Sequence, residues 1–146
     1  MALLIRASLA LSAAACLLGD AARAEPVVIV NPRNPVQALS REEARKLILG
    51  EQLGWPNADV VELIELRSED PAISAAILAL THKTLSQIHA QWNRLVFSGQ
   101  ANPPQRLATE AEVRAAVARS PGGVAVIDST SADGSVKVVL RLESPP

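Results

Sequence analysis

VVIVNP, residues 27–32, decides the fold of this 146-residue chain. Its first four residues form a continuous apolar run, which predicts a β-strand buried on both faces. Asn31-Pro32 closes the run, because proline has no N–H group to donate to a sheet. A strand buried on both faces needs helices above and below its sheet, and this requirement favours an α/β fold.

Helix starts can also be predicted from the sequence, because capping residues precede apolar residues that recur with helical spacing. Ser40 with Glu43 has the spacing of a capping box, and Gly50 is placed to end that helix. The other predicted starts are Asp70 with Pro71, Thr84, and Thr109 with Glu112. The sequence therefore predicts four helices.

Three further apolar runs predict strands at residues 60–66, 124–127 and 136–140. The resulting order is strand, helix, strand, three helices, strand, strand. This alternation predicts an α/β layer in which helices flank a small, mainly parallel or mixed sheet. Because about 120 residues suffice for one hydrophobic core and not for two, residues 25–146 are predicted to form a single domain.

Residues 1–24 have the pattern of a cleavable secretory signal peptide. Arg6 supplies a positive charge, Ala7–Leu18 is an apolar stretch too short for a stable membrane anchor, and Ala22-Arg23-Ala24 is an A-x-A cleavage site. Cleavage there makes Glu25 the first mature residue and predicts a periplasmic location. An uncleaved N-terminal anchor is the alternative.

Cys16 is the only cysteine in the chain. Ala13 stands where a lipid-attachment motif usually has Leu, and Leu17-Leu18 continue the apolar run beyond the cysteine. We therefore expect Cys16 to be removed with the signal peptide. The mature chain then has no disulfide and no thiolate chemistry.

The mature chain has little net charge and few aromatic residues. Removal of residues 1–24 lowers Lys+Arg from 14 to 12 and Asp+Glu from 15 to 14, so the net charge becomes −2. Nucleic acid and anionic membrane surfaces are therefore not expected partners, and no later apolar run is long enough for membrane insertion. Trp55 and Trp92 are expected to anchor the core or its loops.

An ordered set of short motifs extends over nearly all of the mature chain. The set comprises Val28–Pro32, Asn34-Pro35-Val36, Leu39-Ser40-Arg41, Leu49-Gly50, Trp55-Pro56, Gln91-Trp92, Phe97-Ser98-Gly99, Pro103-Pro104 and Pro121-Gly122-Gly123. It resembles the small, single-lobe relatives of the phosphate-binding protein of the phosphate ABC transporter, which belong to the type II periplasmic binding proteins. The resemblance implies one lobe of a fold in which two lobes enclose a ligand by hinge closure.

The resemblance also implies a place for the ligand. Full-length phosphate binders carry an Arg and a Ser-Gly-Thr sequence after the equivalent of the second strand, where a helix N-terminus suits an anion. This chain has Arg67-Ser68-Glu69-Asp70-Pro71 there, which keeps the Arg and a Ser but lacks Ser-Gly-Thr. The family's closing Ile-Gly-Tyr turn is likewise replaced, by Val124-Ala125-Val126.

Arg67 and Ser68 are accordingly the first candidates for ligand binding. The alternative for them is a solvated arginine at a strand end and a loop hydroxyl. Ser40 and Arg41 could also face a cleft, although the capping box accounts for Ser40 without a ligand. Asp70 is expected to be an N-cap, where its carboxylate takes the N–H groups that an anion would use.

The sequence carries no signal for catalysis or for a metal. It has no G-x-S-x-G, G-x-G-x-x-G, P-loop or H-E-x-x-H motif. His82 and His89 are too far apart along a helix to share a zinc ion, and each is expected at the surface. No catalytic residue, metal site or cofactor is predicted.

The sequence thus predicts an exported, non-enzymatic binding domain that resembles one lobe of a phosphate-type solute-binding protein. A small anion is one possible ligand, but tight phosphate binding is not expected because Glu69 and Asp70 bring two carboxylates to the loop. The alternative is an envelope protein-interaction module that keeps the fold without a solute ligand. The acidic Arg67–Pro71 loop favours the protein-interaction module, whereas a loop rich in Ser and Gly would favour a solute-binding function.

Overall fold

A computed structural model describes residues 24–143 of the chain. The strands are β1 (Pro26–Val30), β2 (Glu62–Leu66), β3 (Gln105–Leu107), β4 (Gly123–Asp128) and β5 (Lys137–Arg141). The helices are α1 (Arg41–Leu49), α2 (Pro71–Thr81), α3 (Leu85–Phe97) and α4 (Glu110–Arg119), and a 3₁₀ helix (Ser129–Ser131) follows β4. Residues 1–23 of the predicted signal peptide, which include Cys16, lie outside the described residues.

The five strands form one sheet in the order β3-β2-β4-β1-β5. β2 pairs in parallel with β3 and β4, whereas β1 is antiparallel to both β4 and β5. β1 therefore runs against the other four strands, and the sheet is mixed, which is one of the two predicted arrangements. As a consequence, the carboxyl ends of β2, β3, β4 and β5 lie at the same edge of the sheet.

β1 is buried on both faces, which confirms the prediction from its apolar run. Val28 and Val30 belong to a cluster with buried residues of α1, α2 and α3. Val27 and Ile29 belong to a second cluster with buried residues of α4. Because successive side chains of a strand point to opposite faces, three helices cover one face of the sheet and α4 covers the other.

β3 is absent from the sequence-based prediction, so the prediction of four strands is wrong. Gln105 and Arg106 are exposed and Leu107 is partly buried, so this segment has no apolar run to reveal it. Its strand conformation comes from parallel pairing with β2 at the edge of the sheet.

β2 is shorter and less buried than the run at residues 60–66 predicts. Val60 is 58% exposed and forms only an isolated antiparallel bridge with Gly54. The strand begins at the exposed Glu62, and Leu63 and Ile64 are buried at its centre. The prediction of a doubly buried strand is therefore right for its centre and wrong for its amino end.

All four predicted helix starts are present. Capping boxes form at Ser40 with Glu43, at Thr84 with Gln87, and at Thr109 with Glu112, and Asp70 caps α2 before Pro71. Gly50 ends α1 in the left-handed conformation, with φ of 72°. Within residues 24–143, no helix combines the length and the apolar character that a bilayer span requires.

Trp55 and Trp92 are anchors in the core, as expected, with 4% and 2% exposure. The indole N–H of Trp55 donates to the carbonyl of Gly122 at 2.9 Å, and that of Trp92 donates to the carbonyl of Ile48 at 2.8 Å. Each large apolar side chain is therefore buried with its single donor satisfied.

Candidate functional site

A cleft lies at the carboxyl end of β2, between this strand and helices α2 and α3. Its volume is about 50 Å³, which is room for a few water-sized groups since one water needs roughly 10–15 Å³. Apolar walls include Leu66, Ile73, Ile77 and Leu85. Polar lining comes from Glu65, Ser68, Glu69, Asp70 and Ser74. An apolar body with a few polar groups is the usual composition of a small-ligand site.

Arg67 and Ser68 directly follow β2, but of these two predicted residues only Ser68 lines the cleft. The N–H of Arg67 donates to the carbonyl of Leu107 at 2.7 Å, and its own carbonyl accepts from Nη2 of Arg106 at 3.3 Å. Arg67 is thus tied through its backbone to β3, and both Arg67 and Ser68 are exposed. Ser68 therefore lies at the cleft and Arg67 does not, and a ligand role for either residue stays a prediction.

Asp70 occupies the N-terminus of α2 in the manner that its sequence position predicts. Its Oδ1 accepts from the N–H groups of Ala72 at 2.9 Å and of Ile73 at 3.1 Å. These are two of the N–H groups at the helix start that have no partner within the helix and that bind anions in other proteins. The side chain of Asp70 therefore takes the place that a phosphate oxygen would need.

Ser40 and Arg41 lie at the start of α1 and are not among the residues that line the cleft. The hydroxyl of Ser40 accepts from the N–H of Glu43 at 3.1 Å, and Oε2 of Glu43 accepts from the N–H of Ser40 at 2.7 Å. The pKa of Glu43 is held below its ordinary value, first by the N–H of Ser40 and then by the side chain of Ser40, because hydrogen bonds to the carboxylate favour its charged form. Ser40 is therefore engaged in capping, and a ligand role for Ser40 and Arg41 stays a prediction.

Glu65, which lines the cleft, pairs with His89 of α3, and the sequence analysis misses this contact. Nε2 of His89 lies 2.7 Å from Oε2 of Glu65, and the two side chains are 30% and 19% exposed, respectively. His89 is therefore not the plain surface residue that the sequence suggests. The available sequence signal is the charge of Glu65 inside the otherwise apolar end of β2.

Two buried oxygens of residues that line the cleft have no hydrogen-bond partner within the protein. They are Oε1 of Glu65 and Oγ of Ser74, and both residues line the cleft. Most buried polar atoms in proteins have a partner, and an unpaired one lowers stability. The cleft therefore presents two acceptor atoms that the folded domain leaves unused.

Carboxylates dominate the charge of the cleft. Glu65, Glu69 and Asp70 line it, and no Lys or Arg among the described residues does so. The same part of the chain contains no group of three or more His, Cys, Asp or Glu residues that could hold a metal ion. The arrangement therefore suits a ligand with hydrogen-bond donors better than an anion.

Several solved structures share this fold. The chain matches a putative phosphate ABC transporter substrate-binding protein with bound phosphate from Clostridium perfringens, with a TM-score of 0.63 and 12% identity over 80% of this chain and 44% of that one. It matches PstS from Borrelia burgdorferi with a TM-score of 0.60 and 16% identity over 84% and 49% of the two chains. An ABC-type phosphate transport receptor from Vibrio cholerae gives a TM-score of 0.52 and 16% identity over 80% and 45%.

These matches define a class of fold: residues 24–143 form a periplasmic-binding-protein-like lobe, similar to that of phosphate ABC transporter substrate-binding proteins. The chain spans less than half the length of each of these three structures. No protein-family model matches the chain, and no curated protein matches it in sequence.

Proposed function

We propose that this chain is an exported, non-enzymatic binding domain that uses one lobe of the solute-binding fold and does not bind phosphate tightly. The fold similarity supports the binding role, and the matched structures are described as transport receptors and substrate-binding proteins. The observation that carries the proposal is the cleft at the carboxyl end of β2, which meets the start of α2 at Asp70.

Two features of the loop after β2 oppose phosphate. Asp70 already accepts from the N–H groups of Ala72 and Ile73, so an anion cannot use them. Glu69 adds a second carboxylate to the lining of the cleft, and a like charge at about 4 Å opposes an anion by roughly 1–4 kcal/mol. A single lobe also leaves the bound anion open to water, which weakens each contact.

The proposal is tested by restoring the sequence that the phosphate binders carry. Glu69→Gly combined with Asp70→Thr places Ser-Gly-Thr at residues 68–70 after Arg67. Calorimetric titration with inorganic phosphate at low ionic strength should give a gain of about tenfold or more over the unchanged protein, because two repulsive charges are removed and a threonine hydroxyl, unlike a carboxylate, can donate to the anion.

A matched control separates the effect of charge from the effect of the Ser-Gly-Thr sequence. Glu69→Gln with Asp70→Asn removes the same two charges without introducing Ser-Gly-Thr, and asparagine caps the helix as threonine can. This variant should gain less phosphate affinity than the one with Ser-Gly-Thr. A dissociation constant for the unchanged protein at or below about 1 μM, which corresponds to roughly −8 kcal/mol, would show that the proposal misinterprets this loop.

One observation favours the second candidate, an envelope protein-interaction module. Phe97, at the end of α3, is 94% exposed, and large aromatic side chains are enriched where proteins bind one another. If the chain is such a module, a partner protein should be recovered by cross-linking to the unchanged protein in the envelope. Phe97→Ser should abolish recovery of that same partner. The same variant should leave titrations of the cleft unchanged, which distinguishes the two candidates.

A further inference from the structure

We propose that the cleft at the carboxyl end of β2 binds a small aliphatic ammonium group. This inference rests on the proposed binding function and names the chemical class of its ligand. Glu65 and Ser74, each with one buried oxygen that has no partner within the protein, line a cavity whose other walls are mostly apolar. A ligand that fits must donate at least two hydrogen bonds from one end and present hydrocarbon at the other.

Glu65 supplies the charged acceptor. Its Oε2 is engaged with Nε2 of His89 at 2.7 Å, and this contact fixes the carboxylate while Oε1 has no partner. An ionised carboxylate oxygen makes its strongest hydrogen bonds with charged donors. The orphaned atom is therefore matched by a cation that carries N–H groups.

Ser74 supplies the second acceptor, from helix α2. It lies in the first turns of α2, where its N–H donates to the carbonyl of Asp70 at 2.8 Å, but its hydroxyl oxygen is buried without a partner. A serine hydroxyl accepts as well as donates, so this oxygen can accept a hydrogen bond from an ammonium group. Of the common small polar groups, the ammonium ion has three donors and no acceptor, which fits two acceptor atoms.

The other residues that line the cleft favour a ligand with a short hydrocarbon chain and a positive charge. Leu66, Ile73 and Leu85 are among the apolar residues that a short alkyl chain would contact. Glu69 adds a negative charge to the lining and no Lys or Arg of the described residues opposes it there, so a cation is attracted and a carboxylate of equal shape is repelled. The volume of about 50 Å³ limits the ligand to a few heavy atoms inside the cleft.

The test titrates the purified protein with n-propylammonium and follows the amide chemical shifts of residues that line the cleft. Propionate and n-propanol have the same shape with a negative and a neutral end, and serve as control ligands. Saturable shifts with n-propylammonium, and binding by the two controls at least tenfold weaker, are expected. Equal binding of n-propanol, or no saturable shift with n-propylammonium, would overturn the proposal.

Variants assign the binding to the two acceptors. Glu65→Gln keeps an acceptor for His89 but removes the charge, and should weaken n-propylammonium binding at least tenfold. Ser74→Ala should weaken it several-fold. Glu62→Gln is the matched control, because Glu62 is an exposed glutamate on the same strand and should leave the affinity unchanged. Unchanged binding in Glu65→Gln would refute the assignment.

An ammonium on an aliphatic chain could be a free amine or a lysine side chain of a partner protein. Nα-acetyl-lysine amide separates these sources, because tighter binding than that of n-propylammonium assigns the site to a lysine and weaker binding assigns it to a free amine. Failure of all ammonium probes, combined with phosphate binding gained by Glu69→Gly with Asp70→Thr, removes this inference and leaves the binding function in place. Failure of both experiments overturns both proposals.

Discussion

The indole Nε1 of Trp92 donates to the carbonyl oxygen of Ile48 at 2.8 Å, which ties the middle of α3 to the last turn of α1. The last four carbonyls of a helix have no partner within the helix, so this bond satisfies one of them. Nε2 of Gln91 does the same for the carbonyl of Leu49 at 2.7 Å. The end of α1 is therefore completed by side chains more than 40 residues away in sequence.

Trp92→Ala should lower the free energy of unfolding by about 3–5 kcal/mol, because it removes a large buried side chain together with this donor. Trp92→Phe keeps most of the apolar surface and loses the donor, so we expect a smaller loss of about 1–3 kcal/mol. Urea denaturation of both variants measures the two losses. A loss under about 1 kcal/mol for Trp92→Ala would mean that α3 does not pack in the core.

Gly50→Ala should destabilise the domain for two separate reasons. Gly50 has φ of +72°, and a Cβ there would lie 2.6 Å from Cδ1 of Leu95. Left-handed strain of about 1–2 kcal/mol then adds to overpacking of about 1–3 kcal/mol. Gly99→Ala is the matched control, since Gly99 has φ of +74° and open space around it. Equal thermal destabilisation by the two substitutions would show that only the backbone conformation matters at Gly50.

The pH dependence of α1 follows from its capping box. Hydrogen bonds from the backbone and side chain of Ser40 lower the pKa of Glu43 below its ordinary value of 4.5. A carboxyl group whose pKa is depressed by folding stabilises the fold above the unfolded pKa, and this stabilisation is lost as the pH falls through the folded pKa. We therefore expect the start of α1 to loosen as the pH drops below about 4.5.

NMR titration of the Glu43 carboxyl carbon checks this prediction directly. Ser40→Ala should raise the pKa of Glu43 towards its ordinary value, whereas Ser40→Thr should leave it depressed because threonine also caps helices. An unchanged pKa in Ser40→Ala would contradict the role assigned to the capping box.

Cleavage of the signal peptide after Ala24 remains a prediction from the sequence, because residues 1–23 lie outside the described residues. The structure adds that Glu25 is already held to the domain, by Nη1 of Arg141 at 2.8 Å and by the N–H of Ser129, which donates to its carbonyl at 2.8 Å. Intact-mass analysis of protein from the periplasm should give a chain that begins at Glu25. A mass that retains Met1, or one that carries a diacylglycerol on Cys16, would contradict the prediction.

Features that depend on neighbours in sequence could be predicted, and features that depend on distant neighbours could not. A capping residue and its partner are three residues apart, so each helix start is visible in the sequence. The direction of β1 depends instead on its pairing with β4 and β5, about 100 residues away. The exposed strand β3 exists only because the edge of β2 is available to it.

The candidate site divides in the same way. Asp70 was predictable as a helix cap because it directly precedes Pro71. Glu65 and His89 are 24 residues apart and join a strand to a helix. The charge of Glu65 within an apolar run is visible in the sequence, but nothing local identifies His89 as its partner. The unpaired oxygens of Glu65 and Ser74 are visible only when the packing of α2 and α3 around β2 is known.

The last prediction separates a functional from a structural role for Glu65. If its carboxylate is kept for a ligand, Glu65→Met should change stability little or raise it, because the substitution removes a partly buried charge whose Oε1 has no partner and adds apolar contacts. His89→Ala should instead lower stability by about 1–3 kcal/mol, since it leaves the whole carboxylate of Glu65 unpaired. Urea denaturation measures both changes, and n-propylammonium titration of Glu65→Met should show no saturable shift. A loss of more than about 2 kcal/mol in Glu65→Met would identify Glu65 as a structural residue, because only a stabilising ion pair would make its removal that unfavourable.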